Sequence, residues 1–99
     1  MKVALTEAAL DDLFRIGQFI NRDSPVRAKT FVRELYDRCR RLGGMPKAFP
    51  LLPGREHTGI RRRPYGNYLI FYWINGDTVE ILHVLNGAQD YERVLFPDD

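Results

Sequence analysis

The run "GIRRRPYGNYLIFYWINGDTVEILHVLNG", Gly59 to Gly87, decides the fold. From Gly59 the polar and apolar residues alternate with a period of two, and two glycine-bearing pairs interrupt the alternation. The expected elements are a strand over Ile60–Tyr65, a turn at Gly66-Asn67, a strand over Tyr68–Ile74, a turn at Asn75-Gly76 and a strand over Thr78–Leu85. Asn-Gly favours a type I′ turn, whose two central residues both need positive φ. With two-residue loops, Tyr72 opposes Val79, Ile70 opposes Ile81 and Tyr68 opposes His83. On the other side Arg63 opposes Ile70 and Arg61 opposes Tyr72. One face then carries Arg61, Arg63, Tyr65, Tyr68, Ile70, Tyr72, Val79, Ile81 and His83. The other carries Ile60, Arg62, Pro64, Leu69, Phe71, Trp73, Glu80, Leu82 and Val84. Both faces of the middle strand are apolar, so both are covered or one is a binding surface.

Upstream the period lengthens to that of a helix. Lys2 to Leu5 is a short edge strand. Thr6 caps a helix whose first turn holds Glu7, at the positive end of the helix dipole, and Leu10, Leu13, Phe14, Gly17 and Ile20 follow to Asn21. Gly17 in mid-helix costs up to about 1 kcal/mol against alanine, which points to close approach of a second helix. Ser24-Pro25 starts that second helix; Ala28, Phe31, Val32, Leu35, Cys39 and Leu42 mark its apolar face, and Gly43-Gly44 stops it. The short link Arg22 to Ser24 makes the pair an antiparallel hairpin. Met45 to Thr58, with three prolines, is an ordered loop anchored by Phe49, Leu51 and Leu52. Ala88 to Phe96 forms a short closing helix. The expected architecture is α+β: an N-terminal strand, an antiparallel helical hairpin, a three-stranded antiparallel meander and a short C-terminal helix, in a single domain over 1–99.

The chain has 99 residues, 44% hydrophobic and 28% charged, an ordinary globular composition. No run of 18 apolar residues exists to span a membrane. Met1 to Glu7 does not read as a secretory signal, and the single cysteine, Cys39, excludes an internal disulfide and suits a reducing cytoplasm. The formal net charge of +2 is too small for bulk nucleic-acid binding. The charge is clustered, however, in Arg38, Arg40 and Arg41 and again in Arg61, Arg62 and Arg63.

No glycine loop cradles a phosphate, and His57, His83 and Cys39 lack metal-ligand spacing, so neither cofactor nor metal is expected. His83 reads as a hydrogen-bonded sheet residue rather than a general base, and Asp11, Asp12 and Asp37 as surface charge. The arginine strand has two readings. Charge on an edge strand guards against edge-to-edge pairing; alternatively it lines a cationic, aromatic concavity for phosphates or an acidic partner. Alternation points Arg62 away from Arg61 and Arg63, so the three cannot form one patch. Part of the set lies against the helices, its charge snorkelling outward.

The order of elements, and the spacing of G-x-R, Y-x-I-F-Y and G-A-x-D-Y-E between Gly59 and Phe96, resembles the RelE/ParE superfamily of bacterial type II toxins. "EAALDDLFRIGQFI", Glu7 to Ile20, resembles its first helix. The resemblance implies a toxin neutralised by a cognate antitoxin. The RelE branch is similar to a ribosome-dependent mRNA endonuclease that uses sheet cations and a C-terminal arginine and tyrosine. Here Leu69 stands at its sheet arginine, Ile60 at its first lysine, Gln89 at its late arginine, and Leu95 or Phe96 at its terminal tyrosine; only Arg62 keeps a cation. What remains resembles the ParE branch, which implies a non-enzymatic poison of DNA gyrase that traps cleaved DNA. The ParE pattern has arginine where this chain has Gln89. An RNase with a rearranged set (Arg61, Arg62, His83, Tyr91) and a non-toxic antitoxin-binding module are the alternatives.

The resemblance further implies that the antitoxin's C-terminal segment wraps the hairpin and sheet, and that any operator binding belongs to the antitoxin. The candidate antitoxin- or target-binding residues are Arg38, Arg41, Arg61, Arg62, Arg63, Tyr72, His83, Gln89 and Tyr91. No residue is assigned a catalytic role. An antitoxin rich in Asp and Glu facing Arg38, Arg41 and Arg61 is the electrostatic expectation, with each desolvated pair worth about 2–5 kcal/mol on breaking.

Overall fold

Thr6 joins the first strand to the first helix and pins both to the sheet. In the computed structural model, which describes residues 1–99, its Oγ1 accepts a hydrogen bond from the Ala9 amide at 3.1 Å. The same hydroxyl lies 2.9 Å from the Ile81 carbonyl and 3.1 Å from that of Leu82. Strand β1 (Lys2–Leu5) precedes it and helix α1 (Glu7–Asn21) follows. Ala9, Leu13 and Ile16 bury one stripe of α1. Ser24 caps helix α2 (Pro25–Arg41) by accepting from the Arg27 amide at 3.2 Å, with Pro25 in the first turn. α2 buries Ala28, Leu35 and Cys39. The helices close on each other at Gly17, where an added Cβ would sit 3.2 Å from Val32 Cγ2.

A 3-10 turn over Leu42–Gly44 ends the hairpin. The loop that follows runs beside strand β2 (Arg61–Tyr65) and covers part of its edge. The Leu52 amide donates to the Ile60 carbonyl at 2.7 Å, and the Arg62 amide to Pro50 at 3.2 Å. Strands β3 (Tyr68–Asn75) and β4 (Thr78–Asn86) complete a sheet in the order β1-β4-β3-β2, with β1 parallel to β4 and the meander antiparallel. A short helix α3 (Tyr91–Leu95) closes the chain. It is shorter than the expected Ala88–Phe96 because the residues before it are spent on a turn. The Gly87 amide donates to Asn67 at 2.8 Å, the Ala88 amide to Asn86 Oδ1 at 2.8 Å and the Gln89 amide to the Asn86 carbonyl at 3.2 Å.

The β2–β3 register is as expected, with Arg61 opposite Tyr72 and Arg63 opposite Ile70. The β3–β4 register is two residues off. The loop is Gly76-Asp77 and not Asn75-Gly76, so Tyr72 faces Ile81 and Ile74 faces Val79. In both hairpins glycine takes positive φ at the first loop position, 57° at Gly66 and 63° at Gly76, and no other residue type has positive φ. Such a turn needs only one left-handed residue, so Asn75 stays in the strand and the turn slides by one.

A shift of two leaves each side chain on its expected face, but a β-bulge then reverses part of the assignment. After Tyr72–Ile81 the next partners are Phe71–His83 and Ile70–Val84, leaving Leu82 as the extra residue. Val84 therefore enters the helix-side core, contrary to expectation, and Leu85 turns to the opposite side. Likewise His83 faces Phe71 rather than Tyr68.

Both faces of β3 are covered at its centre, Ile70 to Tyr72, while Trp73 is 37% exposed. Ile70 and Tyr72 pack under the hairpin with Leu13, Ile16, Leu35 and Cys39. Phe71 packs on the far side with Leu52, Ile60 and Leu85, roofed by Tyr91, Leu95 and Phe96. Phe71 and Tyr72 are both fully buried, each worth about 1.5–3 kcal/mol of apolar transfer.

Candidate functional site

Asp12 is the one buried charged residue, 6% exposed, and it corrects the expectation of surface charge. Its Oδ2 accepts from the Val84 amide at 2.9 Å and lies 2.7 Å from His83 Nδ1. β1 pairs with β4 only as far as Leu5–Ile81, so backbone groups on that edge of β4 beyond it need other partners. Asp12 takes the Val84 amide, and Thr6 the carbonyls of Ile81 and of Leu82, the bulged residue. Helical spacing did carry the signal, since Asp12 is three residues from Ala9 and four from Ile16, inside the buried stripe. His83 is thus a hydrogen-bonded sheet residue, held by a carboxylate.

The arginines divide as alternation requires. Arg61 Nη1 donates to the Phe49 carbonyl at 2.7 Å, above the loop. Arg62 lies on the far face and donates to the Tyr91 hydroxyl at 2.9 Å, while the Tyr91 ring packs at a tilt against Phe71 with centroids 5.0 Å apart. Arg63 returns to the helix side, its guanidinium 4.9 Å from the Phe49 ring centre and 6.0 Å from that of Tyr65. Tyr72 is fully buried, and its hydroxyl donates to the Pro46 carbonyl at 2.8 Å. Burial pushes its pKa up, against the smaller opposing pull of Arg61 and Arg63.

Around Tyr65 a network forms that the sequence had not assigned. Its hydroxyl donates to Glu34 Oε1 at 2.6 Å. Arg27 grips the same carboxylate at 2.8 and 3.4 Å. These bonds, that of Arg27 first, hold Glu34 below its usual pKa, and the bond to Glu34 raises that of Tyr65. Arg38 lies 4.9 Å over the Tyr65 ring. Asp37 Oδ2 is shared by Arg38 and Arg41, each at 2.9 Å. Arg63 has no carboxylate partner: its Nη1 reaches the Pro64 carbonyl at 3.0 Å, and its Nε is buried with no hydrogen bond. Desolvation, then the charges of Arg38 and Arg41, lower its pKa. Arg38, Arg41 and Arg63 thus form one cationic cluster beside Tyr65.

The remaining candidates lie elsewhere. Gln89 lines a shallow pocket with Asp12, Arg15, Phe19, Tyr68 and Asn86. His83, Arg62 with Tyr91, and Arg61 each hold a separate internal partner. Burial raises the Cys39 thiol to about 12, which makes it an inert core residue. No helix is long and apolar enough to cross a membrane.

Comparison with curated sequences finds no match. Among solved structures, the chain is similar to one from the chromosomal ParDE toxin–antitoxin system of P. aeruginosa, with a TM-score of 0.73 and 18% identity over 87% of this chain and 95% of the other. It is also similar to a chain of the toxin–antitoxin complex RelBE2 of Mycobacterium tuberculosis, with a TM-score of 0.56 and 24% identity over 86% and 95%. At these identities the likeness is one of fold. The family model described as the ParE toxin of the type II toxin-antitoxin system, parDE, matches residues 3–91, nearly the whole length. Strand, helical hairpin and bulged meander are therefore those of a toxin: the chain belongs to the ParE family of type II toxin–antitoxin toxins.

Proposed function

We propose that the chain is a binding poison of DNA gyrase, holding the enzyme on cleaved DNA, and that a cognate antitoxin keeps it inactive. The observation that carries this reading is the ParE family match along residues 3–91. The side chains at the positions an RNase of this fold would use support it. Ile60 is 7% exposed in the second core, and Leu69, Leu95 and Phe96 pack against that core. None of these side chains moves a proton or neutralises a phosphorane. Arg61, Arg62, His83 and Tyr91, the rearranged set, are spread over three separate hydrogen-bond pairs. Poisoning by binding needs a surface and no reaction in the toxin.

The antitoxin reading is supported by the hairpin. Leu10, Phe14 and Val26 are 51%, 67% and 77% exposed, and Leu13, Phe14, Gly17, Pro25, Ala28 and Val32 line a groove between the helices. Apolar surface of this kind is covered by a partner when one is available. A segment that folds as it binds suits a long shallow face.

The test adds purified chain to gyrase with supercoiled plasmid and, separately, to translating ribosomes. Loss of supercoiling with trapped cleavage product, relieved by the antitoxin, is the expected outcome. Cleavage of mRNA on the ribosome would refute it, and silence in both assays with tight antitoxin binding would leave only a binding module.

A further inference from the structure

We infer that Arg38, Arg41 and Arg63 form a receptor for a pair of carboxylates on the antitoxin's wrapping segment, with Arg63 as its anchor. This inference rests on the antitoxin reading above.

Charge counting comes first. The cluster of three guanidinium groups holds a single carboxylate, Asp37, whose Oδ2 accepts from Arg38 and Arg41 at 2.9 Å each, while Arg63 pairs with none. Three positive charges less one negative leave two uncompensated. The nearby Glu34 cannot serve, since Arg27 holds it at 2.8 Å and Tyr65 at 2.6 Å. Arg63 is partly desolvated with no anion beside it, and its Nε has no acceptor. A cation removed from water without a partner destabilises the free chain, and an incoming carboxylate removes that cost. The lowered pKa of Arg63, caused by burial and then by Arg38 and Arg41, has the same origin.

The site is shaped for a carboxylate rather than a nucleic acid. Single-stranded nucleic acid needs free aromatic faces on which bases stack. Here Arg38 and Arg63 lie 4.9 and 6.0 Å from the centre of the Tyr65 ring, and Phe31 adjoins it at 5.8 Å. The Phe49 ring is taken by Arg63 at 4.9 Å. With the rings already stacked on guanidinium groups, what the cluster offers is planar forks of N–H donors, the geometry that pairs with carboxylates.

The experiment measures binding of the purified chain to the protein encoded by the neighbouring reading frame, and to a synthetic peptide of that protein's C-terminal segment. In a second peptide every Asp and Glu is replaced by Asn and Gln. Arg63→Met should raise the Kd at least about thirtyfold while Tm stays level or rises, because the variant removes an unpaired, half-buried cation. The amide peptide should bind wild type as weakly as the acidic peptide binds Arg63→Met, and the two changes together should add little. An unchanged Kd for Arg63→Met with the acidic peptide overturns the inference and leaves the antitoxin reading standing. Failure of the wild-type chain to bind the neighbouring protein at all overturns that reading and the inference with it. Should Arg63→Met unfold, the exposed Arg41→Gln decides, with several-fold weakening expected and no change overturning the inference. Displacement of the peptide by single-stranded RNA, lost in Arg63→Met, would also overturn it, marking a nucleic-acid site.

Discussion

At the scale of single residues, Asp12 shows how one carboxylate can satisfy a strand amide 72 residues away. Replacing it by Ala leaves the Val84 amide buried without an acceptor and His83 without its partner, which costs about 2–4 kcal/mol. Urea unfolding of Asp12→Ala should show that loss, with Asp12→Asn, which keeps an acceptor oxygen, losing less. Cys39 supplies a pH prediction. Its thiol is pushed up to about 12 in the folded chain, against about 8.5 unfolded. The stability it contributes is fully present below the unfolded value and is lost as pH rises toward the folded one. Between these values stability should fall by up to about 1.4 kcal/mol per pH unit from this group alone. Tyr72, raised in the same direction by burial, adds to the decline above about pH 10. Thermal melts from pH 7 to 11 check the slope, and Cys39→Ala should flatten its lower part.

Among the elements, β1 is the most dependent on others for its place. It has four residues, pairs with β4 alone in the sheet, and is tied to the end of the hairpin through Gly43. The Met1 amino group donates to the Gly43 carbonyl at 2.8 Å. A Cβ on Gly43 would lie 2.5 Å from the Met1 carbonyl oxygen and 2.9 Å from Val3 Cγ2. Backbone cannot give way as a side-chain tip can, so Gly43→Ala should cost about 1–3 kcal/mol. Hydrogen exchange should accelerate in the β1 amides while those of β3 keep their protection relative to global unfolding. On the opposite face, Leu52 is 1% exposed and holds the proline-bearing loop against Phe71. Leu52→Ala should cost about 2–5 kcal/mol in urea unfolding.

For the whole molecule, the contrast is between a sheet whose centre is covered on both sides and a hairpin whose outer face is not. Phe14 contributes to that outer face at 67% exposure, so Phe14→Glu should leave Tm close to wild type, within about 0.5 kcal/mol in stability. The same variant should bind the antitoxin more weakly, as titration calorimetry would show; equal affinity would place the partner elsewhere.

Much of this architecture is legible in local residues. Thr6 and Ser24-Pro25 start the helices, Gly66 and Gly76 mark the hairpins, and alternation alone separates Arg62 from Arg61 and Arg63. Each of these signals acts within a few residues, through a cap, a φ preference or a period, so no distant contact is needed to read it. Tertiary structure decided the rest. It placed β1 parallel to β4, moved Val84 into the helix-side core through the bulge, and buried Asp12. It also left Arg63 without a carboxylate beside Tyr65. These features depend on which groups meet across long stretches of chain, such as Thr6 with Ile81 and Asp12 with Val84. Local alternation carries no mark of the bulge, and Thr6 and Asp12, which bond the β4 backbone on either side of His83, are brought there only by the folded chain.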